Sequence, residues 1–225
     1  MTKYNVYIIC KNEDIFKQKE KQFSKYKKKV CHIQWIPAEY LTLTQCNRAL
    51  VNKLDTRYNT KTKSILAKLG CISAHRKALL AIFSNQTNNN LILEEDADLT
   101  GQLITPPNQS CYMGGWIVPP QITKAGKVKI DVKPKKGINK IDYTKYKILT
   151  THSLFIKTNE EAMELLISLI KPEKLKNYDV HLAEEKWFEY YYYPPQYVQE
   201  AHTSEIGGDG NINNKRTHKY GITSN

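Results

Sequence analysis

Cysteine is sparse and scattered: Cys10, Cys31, Cys46, Cys71 and Cys111 are odd in number and include no C-x-x-C pair. That spacing argues against a zinc cluster and against a disulfide framework, and it fits a reducing compartment. Long apolar runs are also missing. No stretch approaches the roughly 20 residues of a membrane span, and the apolar segment after Met1-Thr-Lys is too short for a signal-peptide core, so a soluble, cytoplasmic chain is expected. There is no internal repeat. Acids are outnumbered, 22 against 34 lysines and arginines, and the resulting +12 favours anionic partners: nucleic acid, phosphorylated donors or anionic membrane surfaces touched peripherally.

What is present suffices for one folded domain. A chain of 225 residues with 40% hydrophobic content can bury a continuous core without metal or disulfide staples. The expected division is a domain over residues 1–206 and a Gly/Asn-rich basic tail over residues 207–225. Tyr4 to Cys10 reads as a buried first strand, followed by a polar turn at Lys11 to Asp14 and an amphipathic helix with a lysine face through Lys29. A second β-type run begins at Cys31 and leads into Pro37, and the poorly periodic stretch to Thr60 carries Arg48 and Arg57. Ser64 to Phe83 holds a helical period. Leu91-Ile92-Leu93 then reads as a buried strand running into Glu94-Glu95-Asp96-Ala97-Asp98. Ser110 to Trp116 reads as a short strand that includes Gly114 and Gly115. Ile148 to Ile156 is a further strand, Asn159 to Ile170 a helix capped by Asn159, Tyr178 to Glu189 a helix opened by Asp179, and Tyr197 to Gln199 a last strand. Lysine-rich residues 119–146 read as an insertion. Alternating strands and helices predict an α/β fold with a mixed, mostly parallel central sheet flanked by helices.

The acidic cluster is the strongest chemical feature. Four carboxylates in the five residues from Glu94 to Asp98, directly after a buried strand, repel one another and lose hydration. A solvated acidic turn is one reading. A Mg²⁺ or Mn²⁺ site is the other, and the apolar strand before the cluster favours it. Ligands in open α/β sheets bind at that carboxyl edge. A reaction in which a hydroxyl attacks would need a base across the pocket; Asp179 is the first candidate, against a plain helix-capping role, with Glu184 and Glu185 following on the same helix. Gly114 and Gly115 permit a close backbone approach near the site. His75 lies on an otherwise apolar helix face, where a satisfied core histidine and a site histidine both fit.

Two segments together, Leu69-Gly70-Cys71-Ile72-Ser73-Ala74-His75 and Leu91-Ile92-Leu93-Glu94-Glu95-Asp96-Ala97, resemble the paired motifs of glycosyltransferase family 25, a Gly-Cys-x-x-Ser-His helix and a Leu-Glu-Asp-Asp-Ala/Val strand end. That family includes lipopolysaccharide-type β-galactosyltransferases and collagen hydroxylysine galactosyltransferases. In the same order, Tyr112-Met113-Gly114-Gly115 is similar to the family's Tyr-Leu-Gly segment and Thr151 to Ile156 to its Ala-Tyr-Val-Ile strand. Asp179-Val180-His181-Leu182 matches Val-Asp-x-x-Leu, Pro195 to Gln199 the Pro-apolar-Gln strand, and Ser204-Glu205-Ile206 the closing Ser-Asp-Ile. Three departures are visible: Glu95 replaces an Asp, Ala74 separates Ser73 from His75, and Lys11-Asn12-Glu13-Asp14 follows the first strand in place of the family's arginine-bearing loop.

The resemblance implies a GT-A-like nucleotide-binding fold. It also implies a metal-dependent, inverting transfer of a hexose, galactose or glucose favoured, from a nucleotide-sugar, usually UDP-linked, to a hydroxyl on a glycan or protein. By motif position Glu94 and Asp96 would serve Mn²⁺ (or Mg²⁺) and the diphosphate, with Asp98 as an additional or replacement ligand. Ser73, His75, Gly114 and Gly115 would border the donor, and Asp179, with Glu184 behind it, would act as base or sugar-positioning acid. Specific nucleic-acid binding is not expected on this reading. The competing reading from composition is a metal-dependent nuclease or phosphoryl-transfer enzyme in which the same acids hold two metals. A basic binding module with merely solvated acids is the third.

Overall fold

A computed structural model of the chain describes residues 2–38, 41, 62–120, 132–170 and 176–199. Arg48, Arg57, Ser204 to Ile206, the tail over residues 207–225 and residues 121–131 of the lysine-rich insertion lie outside the described residues.

The centre of the molecule is β1 (Tyr4–Cys10), nearly every residue of which is buried. It pairs in parallel with β2 (Val30–Pro37) on one side and β3 (Asn90–Glu94) on the other. β9 (Ser153–Ile156) runs antiparallel to β3 and to β5 (Cys111–Tyr112). β10 (Tyr190–Tyr193) is parallel to β5, and β7 (Gly137–Lys140) closes the edge antiparallel to β10. The seven-stranded order is β2-β1-β3-β9-β5-β10-β7, a mixed α/β sheet. Two antiparallel ribbons flank it: β4 (Ala97–Leu99) with β11 (Tyr197–Gln199), and β6 (Trp116–Val118) with β8 (Lys147–Leu149).

Side chains alternate across a strand, so β1 feeds two cores. Tyr7 and Ile9 join Ile92 and Leu154 beneath α2 (Thr62–Ser84), α3 (Asn159–Ile170) and α4 (Tyr178–Glu184). Val6, Ile8 and Cys10 join Leu91, Leu93 and Phe155 on the opposite face, covered by Phe23 of α1 (Glu13–Phe23) and by Tyr26. None of the helices among the described residues is long and apolar enough to cross a membrane.

Several boundaries differ from the sequence expectation. α1 begins at Glu13, inside the expected polar turn, because Asn12 caps it: the Asn12 Oδ1 accepts from the Ile15 N–H at 3.0 Å. Asn12→Ala should therefore cost about 1 kcal/mol, read as a lowered urea midpoint with unchanged slope. In α3 the cap is Thr158 rather than Asn159, its hydroxyl accepting from the Glu161 N–H at 3.2 Å. α4 ends at Glu184 rather than continuing to Glu189, and Lys186 takes a positive φ of 54° just beyond it. The stretches read as single strands at Ser110–Trp116 and Ile148–Ile156 are each broken in two. In each, one half pairs in the main sheet and the other in the β6–β8 ribbon, with Gly115 and Thr150 packed together where they part.

Candidate active site

β1 sends the chain to β2 on one side and receives β3 on the other. The crevice beyond the carboxyl ends of β1 and β3 is thus the point at which an open α/β sheet binds ligands. Here the backbone N–H of Lys11, just past β1, donates to Glu95 Oε2 at 3.0 Å, tying the two strand ends together. Glu95 is used in that tie. Glu94, two residues after Ile92, shares its face of the sheet and is directed toward α2.

On α2, Cys71 and His75 are four residues apart and therefore on one side of the helix. His75 is fully buried, and its Nε2 lies 2.9 Å from Glu94 Oε1 while its ring packs on Tyr178 with centroids 4.3 Å apart. An ionised carboxylate only accepts hydrogen bonds, so Nε2 carries the proton in this pair. The Cys71 Sγ is 4.0 Å from the same Oε1. Burial pushes the Glu94 carboxyl up, but the hydrogen bond and charge of His75, aided by the Thr151 side chain, outweigh burial and hold it below the usual carboxylate range. The Cys71 thiol is pushed well up by burial first and then by the charges of Glu94 and Asp179.

Asp96 sits in the turn between β3 and β4. The pairing of Gln199 with Ala97 brings the Gln199 amide within 2.6 Å of Asp96 Oδ2. Its other oxygen, Oδ1, is buried with no hydrogen-bond partner among the described residues. Burial and then the charge of Glu94 raise the Asp96 carboxyl to about 7, against the pull of the Gln199 hydrogen bond. Asp179, in the first turn of α4, accepts from the Val180 N–H at 2.8 Å. Burial raises its carboxyl; Glu94 adds to the rise, and the Val180 N–H and Lys68 oppose it.

The fold therefore brings Glu94, Asp96 and Asp179 into one electrostatically coupled group at the sheet edge. Asp98 is turned to α1, where Lys19 Nζ meets its Oδ1 at 2.8 Å. Glu184 pairs with Lys176 at 2.8 Å on the exposed side of α4. Ser73 is half-buried on α2 between Cys71 and His75 in sequence, turned to a different side of the helix. Gly114 and Gly115 pack beneath residues 148–153. A Cβ at Gly114 would collide with the Tyr197 carbonyl oxygen and lie 2.6 Å from His152 Nε2, and Gly115 has φ +124° against Thr150. The glycines thus seat the segment that carries Thr151 and His152. Gly114→Ala should cost about 2–3 kcal/mol in urea unfolding, because a backbone oxygen cannot rotate out of the way.

Four contributors were not singled out from sequence: Thr151, Lys68, Gln199 and Cys71. The i, i+4 spacing of Cys71 and His75 was a readable sign for the last. His152 is buried; burial lowers its pKa against the opposing charge of Glu94, and its Nδ1 lies 2.5 Å from Thr150 Oγ1. One carboxylate held ionised beside two whose ionisation is resisted is a site that gains from a cation. Compared with known proteins, the chain matches no protein-family model, and no curated protein is significantly similar to it.

Proposed function

We propose that this chain is a glycosyltransferase of the family 25 kind on a GT-A-like sheet, transferring a hexose from a nucleotide-sugar, UDP-linked by preference, to an acceptor hydroxyl. The observation that carries the reading is the convergence of Glu94, Asp96 and Asp179. Asp179 lies far from Glu94 and Asp96 in sequence, and the fold brings it into electrostatic reach of Glu94 at the carboxyl edge of β1 and β3. A nuclease reading rests on the positive charge and does not account for the order of the motifs.

The donor set suits Mn²⁺ or Mg²⁺: hard carboxylate oxygens, one of them the buried Oδ1 of Asp96, which has no hydrogen-bond partner among the described residues, with Glu94 held ionised beside it. Such a cation, when bound, offsets the negative charge that grows on the departing diphosphate. Gln199 fixes the Asp96 carboxylate, and His75 with Thr151 fixes Glu94. Asp179 takes the proton of the acceptor hydroxyl as its oxygen bonds to the anomeric carbon and the bond to the diphosphate oxygen breaks, a single displacement that inverts the carbon. Its burial-raised basicity suits that task at neutral pH, and Lys68 nearby keeps the carboxylate form accessible.

The test is a hydrolysis and transfer screen of UDP-, GDP- and CMP-sugars with and without Mn²⁺. Metal-dependent turnover of one donor class supports the reading. Absence of turnover with every donor, together with cleavage of DNA or RNA, overturns it.

A further inference from the structure

We infer that Cys71, His75 and Glu94 form a second metal site, one that takes a thiophilic divalent cation of the Zn²⁺ class and shares Glu94 with the oxygen-lined position at Asp96. Three ligand types converge from two elements. Sγ and Nε2 come from one side of α2, a carboxylate oxygen comes from the end of β3, and all three atoms lie within 4.8 Å of one another. Zn²⁺ bonded at about 2.3 Å to sulfur and about 2.0–2.1 Å to nitrogen and oxygen sets tetrahedral ligand edges of roughly 3.3–3.6 Å. The observed edges to Glu94 Oε1, 2.9 Å from His75 Nε2 and 4.0 Å from Cys71 Sγ, lie on either side of that range. The third edge, between Cys71 Sγ and the imidazole nitrogen, lies within 4.8 Å, so closure around the ion takes side-chain movements of up to about an ångström.

Chemistry separates this position from the neighbouring one. Thiolate and imidazole select Zn²⁺ over Mn²⁺ or Mg²⁺, whereas Asp96 offers only oxygen. Binding replaces the proton on His75 Nε2 and the thiol proton of Cys71 by the metal, and thiolate and carboxylate together neutralise its two charges. His75 Nδ1 has no hydrogen-bond partner among the described residues, so whatever sits at Nε2, proton or metal, sets the tautomer. The ligand set is not sealed: the Glu94 side chain is 21% exposed and Cys71 is half-buried, while the His75 side chain is 1% exposed. With three protein ligands the fourth position is open, as in zinc sites that bind water or substrate. Asp179 interacts electrostatically with both Cys71 and Glu94.

The experiment uses the full chain loaded with Zn²⁺, passed over a chelating resin and assayed for retained metal, and the same chain loaded with Co²⁺ for absorption spectroscopy. The expected results are stoichiometric retained zinc and a cobalt spectrum with a sulfur-to-metal charge-transfer band and intense tetrahedral ligand-field bands. Cys71→Ser should remove the charge-transfer band, and both Cys71→Ser and His75→Gln should weaken retention by roughly tenfold or more, at least what loss of an outer-shell partner costs. Circular dichroism shows whether each variant is folded, and the wild-type cobalt spectrum decides the question even where one is not. Absence of retained zinc in the wild type, a weak octahedral cobalt spectrum, or a charge-transfer band that survives in Cys71→Ser overturns the site. Asp96→Asn should keep the cobalt band while losing donor turnover, so failure of this site and failure of the glycosyltransferase reading give different results.

Discussion

Asp96→Asn is expected to abolish metal-dependent donor turnover, by at least about 10²–10³-fold, while making the chelator-treated protein more stable at neutral pH. The first half follows, on the proposed function, from losing an anionic oxygen of the cation site that would balance the diphosphate charge. The second half follows from proton linkage. The folded protein raises this carboxyl from 3.8 to about 7 through burial and the adjacent Glu94 charge, so the folded state holds its proton more tightly than the unfolded chain. Stability is then fully present below the unfolded value and is lost as pH rises through about 7. The wild type in chelator should lose on the order of 2–4 kcal/mol across that window, and Asp96→Asn should show a flatter profile. At pH 8 the variant should melt roughly 5 °C higher than the wild type. Equal melting points with full turnover would remove Asp96 from the site.

His75→Leu carries the other large effect. It strips the half-buried Glu94 carboxylate of the partner that holds it ionised, and removal of one member of such a pair costs about 2–3 kcal/mol, less than for a fully buried pair. The depressed Glu94 carboxyl contributes stability above its unfolded pKa, and that contribution is lost as pH falls through the folded value; His75→Leu should erase this acid-side dependence. Glu94→Gln in the His75→Leu background should recover part of the loss, because an amide needs no counter-charge. Urea unfolding of the four proteins in chelator closes the cycle, with a coupling on the order of 2 kcal/mol expected. Simple additivity would mean that the 2.9 Å contact contributes nothing beyond its separate parts.

Local pattern carried much of the fold. The run Tyr4 to Cys10, apolar apart from Asn5, reads as a doubly buried strand because both its faces meet a core. The apolar period of Ser64 to Phe83 reads as a helix because its buried stripe faces Tyr7 and Ile92. What local pattern does not carry is where long apolar stretches break. Ile148 to Ile156 is apolar enough for one strand, but the turn at Thr150 to His152 is set by packing against Gly114 and Gly115 from a segment far away in sequence. The same limit applies to the site. Glu94 and Asp96 were legible as strand-end acids, yet their different states depend on His75 and Gln199, which reach them from other elements. Asp98 belongs to the same acidic run but lies on β4, where register turns it to Lys19. The Cys71–His75 pair shows no paired-cysteine signature, because a helix sets two ligands on one side through i, i+4 spacing alone.

The central claim is that Asp96 and Glu94 hold a divalent cation together with a nucleoside diphosphate. Calorimetric titration of UDP, GDP and CDP into the protein with Mn²⁺, with chelator and with Asp96→Asn tests it. Binding of one nucleotide that requires both Mn²⁺ and Asp96 is the predicted result; binding of equal strength in chelator, or of no nucleotide under any condition, would refute the claim.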